Sequence, residues 1–162
     1  MTEPLSTPDL PPNRSMPPGV VIPVLGYPDV TAAAAWLCRA FGFTERLRIA
    51  DHRVQLAVSA GSLVGSVVVA EQPSGREEGA AAPADRGTHS VMVRVADADA
   101  HAAEASRAGA RIVNPPTTYP FGERQYTAED FAGHRRTFSQ TVADSDPASW
   151  GGVLVEGDAR RT

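Results

Sequence analysis

Residues 28–43 run PDVTAAAAWLCRAFGF, and the fold is read outward from them. Asp29 stands where a helix N-cap is wanted, because a short side-chain oxygen there can accept one of the unpaired first-turn N–H groups. Positions 33, 36, 37, 40 and 41 (Ala33, Trp36, Leu37, Ala40, Phe41) then fall on one helical face, so the helix has a side to pack on a sheet. Gly42 sits where a left-handed C-terminal cap belongs. Before this helix lies an apolar strand, Val20 to Tyr27. After it, strands are predicted over Phe43–Ala50, Arg53–Ser59 and Leu63–Glu71, with turns at Asp51-His52 and Ala60-Gly61-Ser62.

The same order recurs downstream. His89–Val95 is valine-rich and alternates, as a strand does. Asp97 and Asp99 are alternative N-caps for an alanine-rich helix ending at Ala108, and Gly109 closes it. Strands near Arg111–Val113, Arg124–Glu129 and Arg135–Gln140 complete the set. The capping signals lie thirteen residues apart in the first copy (Asp29 to Gly42) and twelve in the second (Asp97 to Gly109), which marks an internal repeat. The predicted fold class is α+β: two tandem β-α-β-β-β modules forming a half-open mixed β-barrel cleft with the helices outside. Such a cleft is a natural place for a small ligand.

The organisation along the chain follows. Residues 1–19 carry six prolines and read as a disordered or extended leader; 20–71 form the first module, 72–87 a linker, 88–142 the second module, and 143–162 a polar tail. The chain of 162 residues suits one domain overall, with a net charge of -4 and 21% charged residues. No basic stripe suggests a nucleic-acid partner, and no apolar run suggests a membrane span or a secretory signal. The lone Cys38 lies inside the apolar helix and reads as a buried, inert thiol. A cytoplasmic location is the expectation.

Pro28-Asp29-Val30, Ala35-Trp36-Leu37 and Phe41-Gly42-Phe43 resemble the opening of the vicinal oxygen chelate superfamily, the group of glyoxalases, bleomycin-resistance proteins and extradiol dioxygenases. His89-Ser90-Val91, Val95 to Asp99 and Ala108-Gly109-Ala110 resemble its second module. Phe121-Gly122-Glu123-Arg124, Asp130 to His134 and Phe138 are similar to the last hairpin of the bleomycin-resistance-like branch. The resemblance implies a homodimer. It also implies a divalent metal held by His and Glu side chains from inner strands, which polarises a substrate that chelates it. Carried onto this sequence, the family's ligand positions fall at Ile22, Ser90 and Thr137. Ile22 has no donor atom, and His89 is one residue out of phase, which on a strand means the opposite face. Rescue would need other donors, such as Glu123 or His134.

The reading is therefore a metal-free protein that binds or sequesters a small ligand between the modules, with no cofactor and no assigned catalytic residue. The alternatives are a metal-dependent lyase, isomerase or dioxygenase with displaced ligands, and a dimeric scaffold with a vestigial pocket. Strand alternation puts Ser90, Met92 and Arg94 on one face, and Arg135, Thr137 and Ser139 on another, both toward the cleft. Arg94 there wants either an anionic ligand or an acid such as Glu123 or Glu129. Tyr119, Phe121, Arg124 and Tyr126 stand in and after a proline-rich loop near the mouth, where aromatic rings can stack on a planar ligand. The binding candidates are thus Ser90, Met92, Arg94, Phe121, Arg124, Tyr126, Thr137 and Ser139. His52, His101 and His134 take structural or solvent roles. Trp36 belongs to the helix core, and Trp150 covers the cleft or a neighbouring subunit.

Overall fold

A computed structural model of the chain describes residues 10–72 and 89–155. The linker beyond Gln72 and the last residues of the tail lie outside this range. The first module comprises β1 (Val24–Tyr27), α1 (Val30–Phe41), β2 (Thr44–Ile49), β3 (Arg53–Ala60) and β4 (Leu63–Glu71). The second comprises β5 (Val91–Arg94), α2 (Ala98–Arg107), β6 (Arg111–Tyr119), β7 (Glu123–Glu129) and β8 (Arg135–Thr141), followed by a 3₁₀ turn at Pro147–Trp150. Both sheets have the same order, β1-β4-β3-β2 and β5-β8-β7-β6, with one parallel and two antiparallel pairings each. This is the expected α+β repeat, and neither sheet closes on itself.

The helix ends follow from the capping residues. Asp29 accepts from the Ala32 N–H at 2.8 Å, and Gly42 takes the left-handed φ of 72° that a side chain would resist. In the second copy Asp97, not Asp99, is the cap, accepting from the Ala100 N–H at 3.0 Å. That frees Asp99 for Arg124.

Each helix covers one face of its own sheet, so alternate strand residues are buried: Val54, Leu56, Val67 and Val69 under α1, and Tyr126, Ala128 and Phe138 under α2. The two helices also pack on each other, and a single hydrophobic cluster runs through both modules. The modules are joined through these helix-side surfaces rather than by a shared hydrogen-bonded strand edge. The faces away from the helices are left to line whatever the fold binds.

Three segments differ from the sequence-based expectation. The first strand begins at Val24, because the preceding Val20 and Val21 project into solvent and only the Pro23 carbonyl is bonded, by the Val68 N–H at 2.9 Å. The strand predicted to end at Val113 continues to Tyr119, straight through Pro115-Pro116. It can do so because β6 is an edge strand, where prolines cost no ladder bond on the open side, and its pairing with β7 shifts register on both sides of Asn114. The leader is not free over residues 10–19, and it turns: the Met16 N–H donates to the Asn13 carbonyl at 3.1 Å, and Asn13 Oδ1 accepts from the Ser15 N–H at 2.9 Å. Pro17 is buried, and carbonyls of this segment are held by side chains of the first sheet.

Candidate ligand-binding site

Met92, Arg94, Thr137 and Ser139 do share the face of the second sheet that turns away from α2. Met92 lies opposite Thr137 and Arg94 opposite Ser139 in the parallel β5–β8 pair. This face is polar and internally bonded. The Thr127 and Thr137 hydroxyls are 3.0 Å apart, and Ser139 Oγ donates to Glu123 at 2.5 Å. Gln125 Nε2 also donates to Glu123, at 3.2 Å. Glu129 takes Arg111 and Arg135 on the same side. Burial pushes the Glu129 carboxyl up, but the hydrogen bonds from these two guanidinium groups outweigh it and hold it below its ordinary value. Both acids considered as partners for Arg94 are therefore taken. Arg94 donates instead to Thr141 at 3.3 Å and pairs with no carboxylate among the described residues.

Ser90 is exposed just before β5. Phe121 sits at the β6–β7 turn, stacked on Tyr119 at 5.2 Å and edge-on to Trp150 at 5.9 Å, so the tail folds back on this turn. Arg124 and Tyr126 lie on the opposite side of the sheet. Arg124 grips Asp99 of α2 with two bonds of 2.7 and 2.8 Å, and Tyr126 is 1% exposed beneath α2. The reason is strand parity: positions 124 and 126 alternate with 123, 125 and 127, which take the face turned away from α2.

The cavity in this region lies at the open edge of β5, where the tip of the β3–β4 hairpin approaches it. It measures about 300 Å³ and draws walls from both modules: Val58, Leu63 and Val64 from the hairpin, Val91, Met92 and Arg94 from β5. Val21 and Pro23 close one side. The lining is largely apolar with one cation at its rim, and Met92 there is 62% exposed. Thr137 and Ser139 stay on the sheet behind it.

The histidines have other duties. His101 has a structural role, wedged between the modules. Its Nε2 donates to the Phe41 carbonyl at 3.0 Å, so its Nδ1 accepts from the Tyr126 hydroxyl, at 2.5 Å. His134 reaches the Gly26 carbonyl at 2.8 Å, and its ring lies tilted against that of Tyr27, 4.7 Å between centres. Sequence reasoning missed the centre of this junction. Arg136 Nη1 donates to Asp130 Oδ2 at 2.9 Å, Arg136 Nη2 donates to the Tyr27 hydroxyl at 2.8 Å, and that hydroxyl donates to Asp130 at 2.6 Å. Both charged side chains are 0% exposed. Burial, with the neighbouring Arg136 acting against it, pushes the Tyr27 phenol up, so it stays a protonated donor. Trp36 joins the same interface through its Nε1, which donates to the Ala108 carbonyl at 2.8 Å, while Cys38 is half-buried and burial raises its thiol pKa.

Burial also lowers the His101 pKa, outweighing the hydrogen bond to Phe41, which favours the charged form. An unfolded histidine titrates near 6.5. Between the lowered native value and about 6.5 the unfolded chain binds a proton that the native chain does not. Stability is therefore expected to fall as pH drops through about 6.5 and to level off below the native value. Urea midpoints at several pH values, for the wild type and His101→Phe, check this: the variant should show a shallower slope. Equal slopes would refute it.

A divalent metal of the family type does not fit these residues. Ile22 offers no donor, the Thr137 hydroxyl is engaged with Thr127, and among the described residues no three His, Cys, Asp or Glu side chains converge. Glu123 and His134 are each committed elsewhere.

Two open, helix-backed sheets in tandem, with a pocket between them, define a paired β-α-β-β-β protein. Residues 20–138 match the model of the Glyoxalase/Bleomycin resistance protein/Dioxygenase superfamily, and the chain belongs to that family. Among solved structures it is similar to TioX from Micromonospora sp. ML1, at 30% identity and a TM-score of 0.59, covering 79% of this chain and 100% of that one. A glyoxalase/bleomycin resistance protein from Streptomyces sp. CB03234 shares the fold at 20% identity and a TM-score of 0.55, over 74% of this chain and 97% of that one. The fosfomycin resistance protein FosX from Listeria monocytogenes does so at 17% identity and a TM-score of 0.55, over 77% and 94%. No curated protein matches the chain. No helix among the described residues is long and apolar enough to cross a membrane.

Proposed function

We propose that this protein binds a small, largely apolar molecule carrying an anionic or strongly polar group, in the pocket between the β3–β4 hairpin and β5, without a metal. One observation carries the reading. The pocket is built from apolar side chains of both modules, and the one charged group on its rim, Arg94, lacks a carboxylate partner among the described residues. An apolar cavity removes ligand surface from water, while a guanidinium with spare donors orients an anion. The polar face of Thr127, Thr137, Gln125 and Glu123 is already internally bonded and adds little. The family's fold supplies the frame, but its chemistry requires ligands that Ile22 and Thr137 do not provide.

The probe for this is 8-anilinonaphthalene-1-sulfonate, an apolar aromatic with one anionic group. Titrated into the full chain, it should show saturable fluorescence enhancement at a single site. Gly65→Trp puts an indole into the pocket from a position where a side chain meets only open space, and it should abolish the signal. Arg94→Gln removes the charge and should weaken binding about tenfold, the equivalent of ~1.4 kcal/mol. Unchanged titrations in both variants would sink the proposal.

A further inference from the structure

The first sheet also has a face turned away from its helix, and this face is occupied by the protein's own leader. Three neighbouring strands each send one side chain to it: Arg46 from β2, Gln55 from β3 and Ser66 from β4. All three donate to backbone carbonyls of the leader. Arg46 Nη2 reaches the Arg14 carbonyl at 3.0 Å, Gln55 Nε2 the Ser15 carbonyl at 2.8 Å, and Ser66 Oγ the Pro18 carbonyl at 2.7 Å. The amide oxygen of the row, Gln55 Oε1, accepts from Arg46 Nη1. What is presented is a row of donors.

A donor row suits this strap for a plain reason. The turn at Asn13–Met16 satisfies the Ser15 and Met16 N–H groups within the strap, and Pro17 and Pro18 have none, so the segment meets the face with carbonyls and few free donors. Pro17 packs down into the buried layer, while Leu10 to Met16 and Gly19 to Val21 are exposed on either side of it. The strap therefore rests on one buried ring and three side-chain hydrogen bonds. Gln55 and Ser66, only 4% and 5% exposed beneath it, are polar groups whose burial depends on the strap's carbonyls. A segment held by so few contacts belongs to the part of a structure that opens first.

We propose that the helix-distal face of the first sheet is a second binding site, which reads the backbone carbonyls of a peptide turn followed by prolines. Residues 14–18 are its displaceable intramolecular occupant. The tether gives the leader an effective concentration on the order of millimolar, so it excludes a weaker competitor until it is released. Val21 and Pro23, which follow the strap directly, form part of the pocket wall described above. Ser66 lines that pocket as well, but Gln55 does not, so a Gln55 substitution is the one that tells the two sites apart.

The test uses the full chain and a fluorescein-labelled peptide with the sequence of residues 10–20, followed by fluorescence anisotropy. Wild-type protein should show no saturable binding up to about 100 μM peptide, because the tethered copy holds the site. Pro17→Asp places a charge in the buried position and should release the leader, seen as a shift of the labelled Met16 methyl resonance to its random-coil position. The released variant should then bind the peptide saturably, and adding Gln55→Leu should weaken that binding at least tenfold. The sulfonate titration of the other pocket should not respond to Gln55→Leu. A Pro17→Asp chain that fails to fold, or whose Met16 methyl does not move, would show the strap to be an integral part of the fold and overturn the proposal. So would a released leader without peptide binding, or peptide binding indifferent to Gln55→Leu.

Discussion

Arg136→Met is expected to cost about 3–5 kcal/mol of stability. Arg136 and Asp130 are both fully buried, and their attraction, with the Tyr27 hydroxyl, is what makes either charge tolerable there. Removing the guanidinium leaves a carboxylate in an apolar junction with only Tyr27 and the backbone N–H groups of Ala132 and His134 to stabilise it. The guanidinium also lies 5.4 Å from the centre of the Phe41 ring, while its Nε has no partner, so the arginine is held mainly through Asp130 and Tyr27. The double variant Asp130→Asn with Arg136→Met should recover part of the loss. It leaves no uncompensated charge, and the amide oxygen still accepts the two backbone N–H groups. Urea unfolding of the three proteins decides the matter. A single variant within about 1 kcal/mol of the wild type, or a double variant worse than the single, would contradict this account.

Phe138→Ala should cost a similar ~3–5 kcal/mol, for a different reason. Its ring is 0% exposed and meets Phe41 of the first module at 4.9 Å, and His101 and Tyr126 of the second at 4.5 and 4.9 Å. Truncation opens a cavity where the two modules join, lined by rings that cannot all shift to fill it. Phe131, 56% exposed against Trp36 and Tyr27, is the control: its loss should cost well under half as much. The pocket proposed to bind ligand draws walls from both modules, so Phe138→Ala should also weaken sulfonate binding even though Phe138 does not line it. Chemical denaturation and the same fluorescence titration measure both. Equal costs for the two phenylalanines would mean that the junction does not carry the packing ascribed to it.

The site was partly legible beforehand. Alternation placed Met92, Arg94, Thr137 and Ser139 on one face of the second sheet, and the pairing of β5 with β8 agrees. Applied with equal strictness, it would have placed Arg136 beside Phe138 under the helix and taken Tyr126 and Arg124 out of the ligand face. The signal was present in the spacing; the aromatic and cationic side chains drew attention to the mouth instead. The apolar half of the pocket was not legible, because the β3–β4 tip reaches β5 across a separate sheet and no local pattern encodes that approach. His101 shows the same limit. Its position early on a helix says nothing of Phe41, sixty residues away, whose carbonyl it holds.

Residues 28–43 decided more than any other stretch, since a cap, an apolar stripe and a closing glycine are local chemistry acting over a few turns of backbone. Their recurrence at Asp97 to Gly109 determined the two modules, their element order and the family. Three things were decided only in the folded chain: which proline-rich segments become extended strand or strap, which charges are buried together, and where the pocket opens. Each depends on contacts between residues far apart in sequence, where the energy comes from burying one surface against another rather than from the preference of either alone.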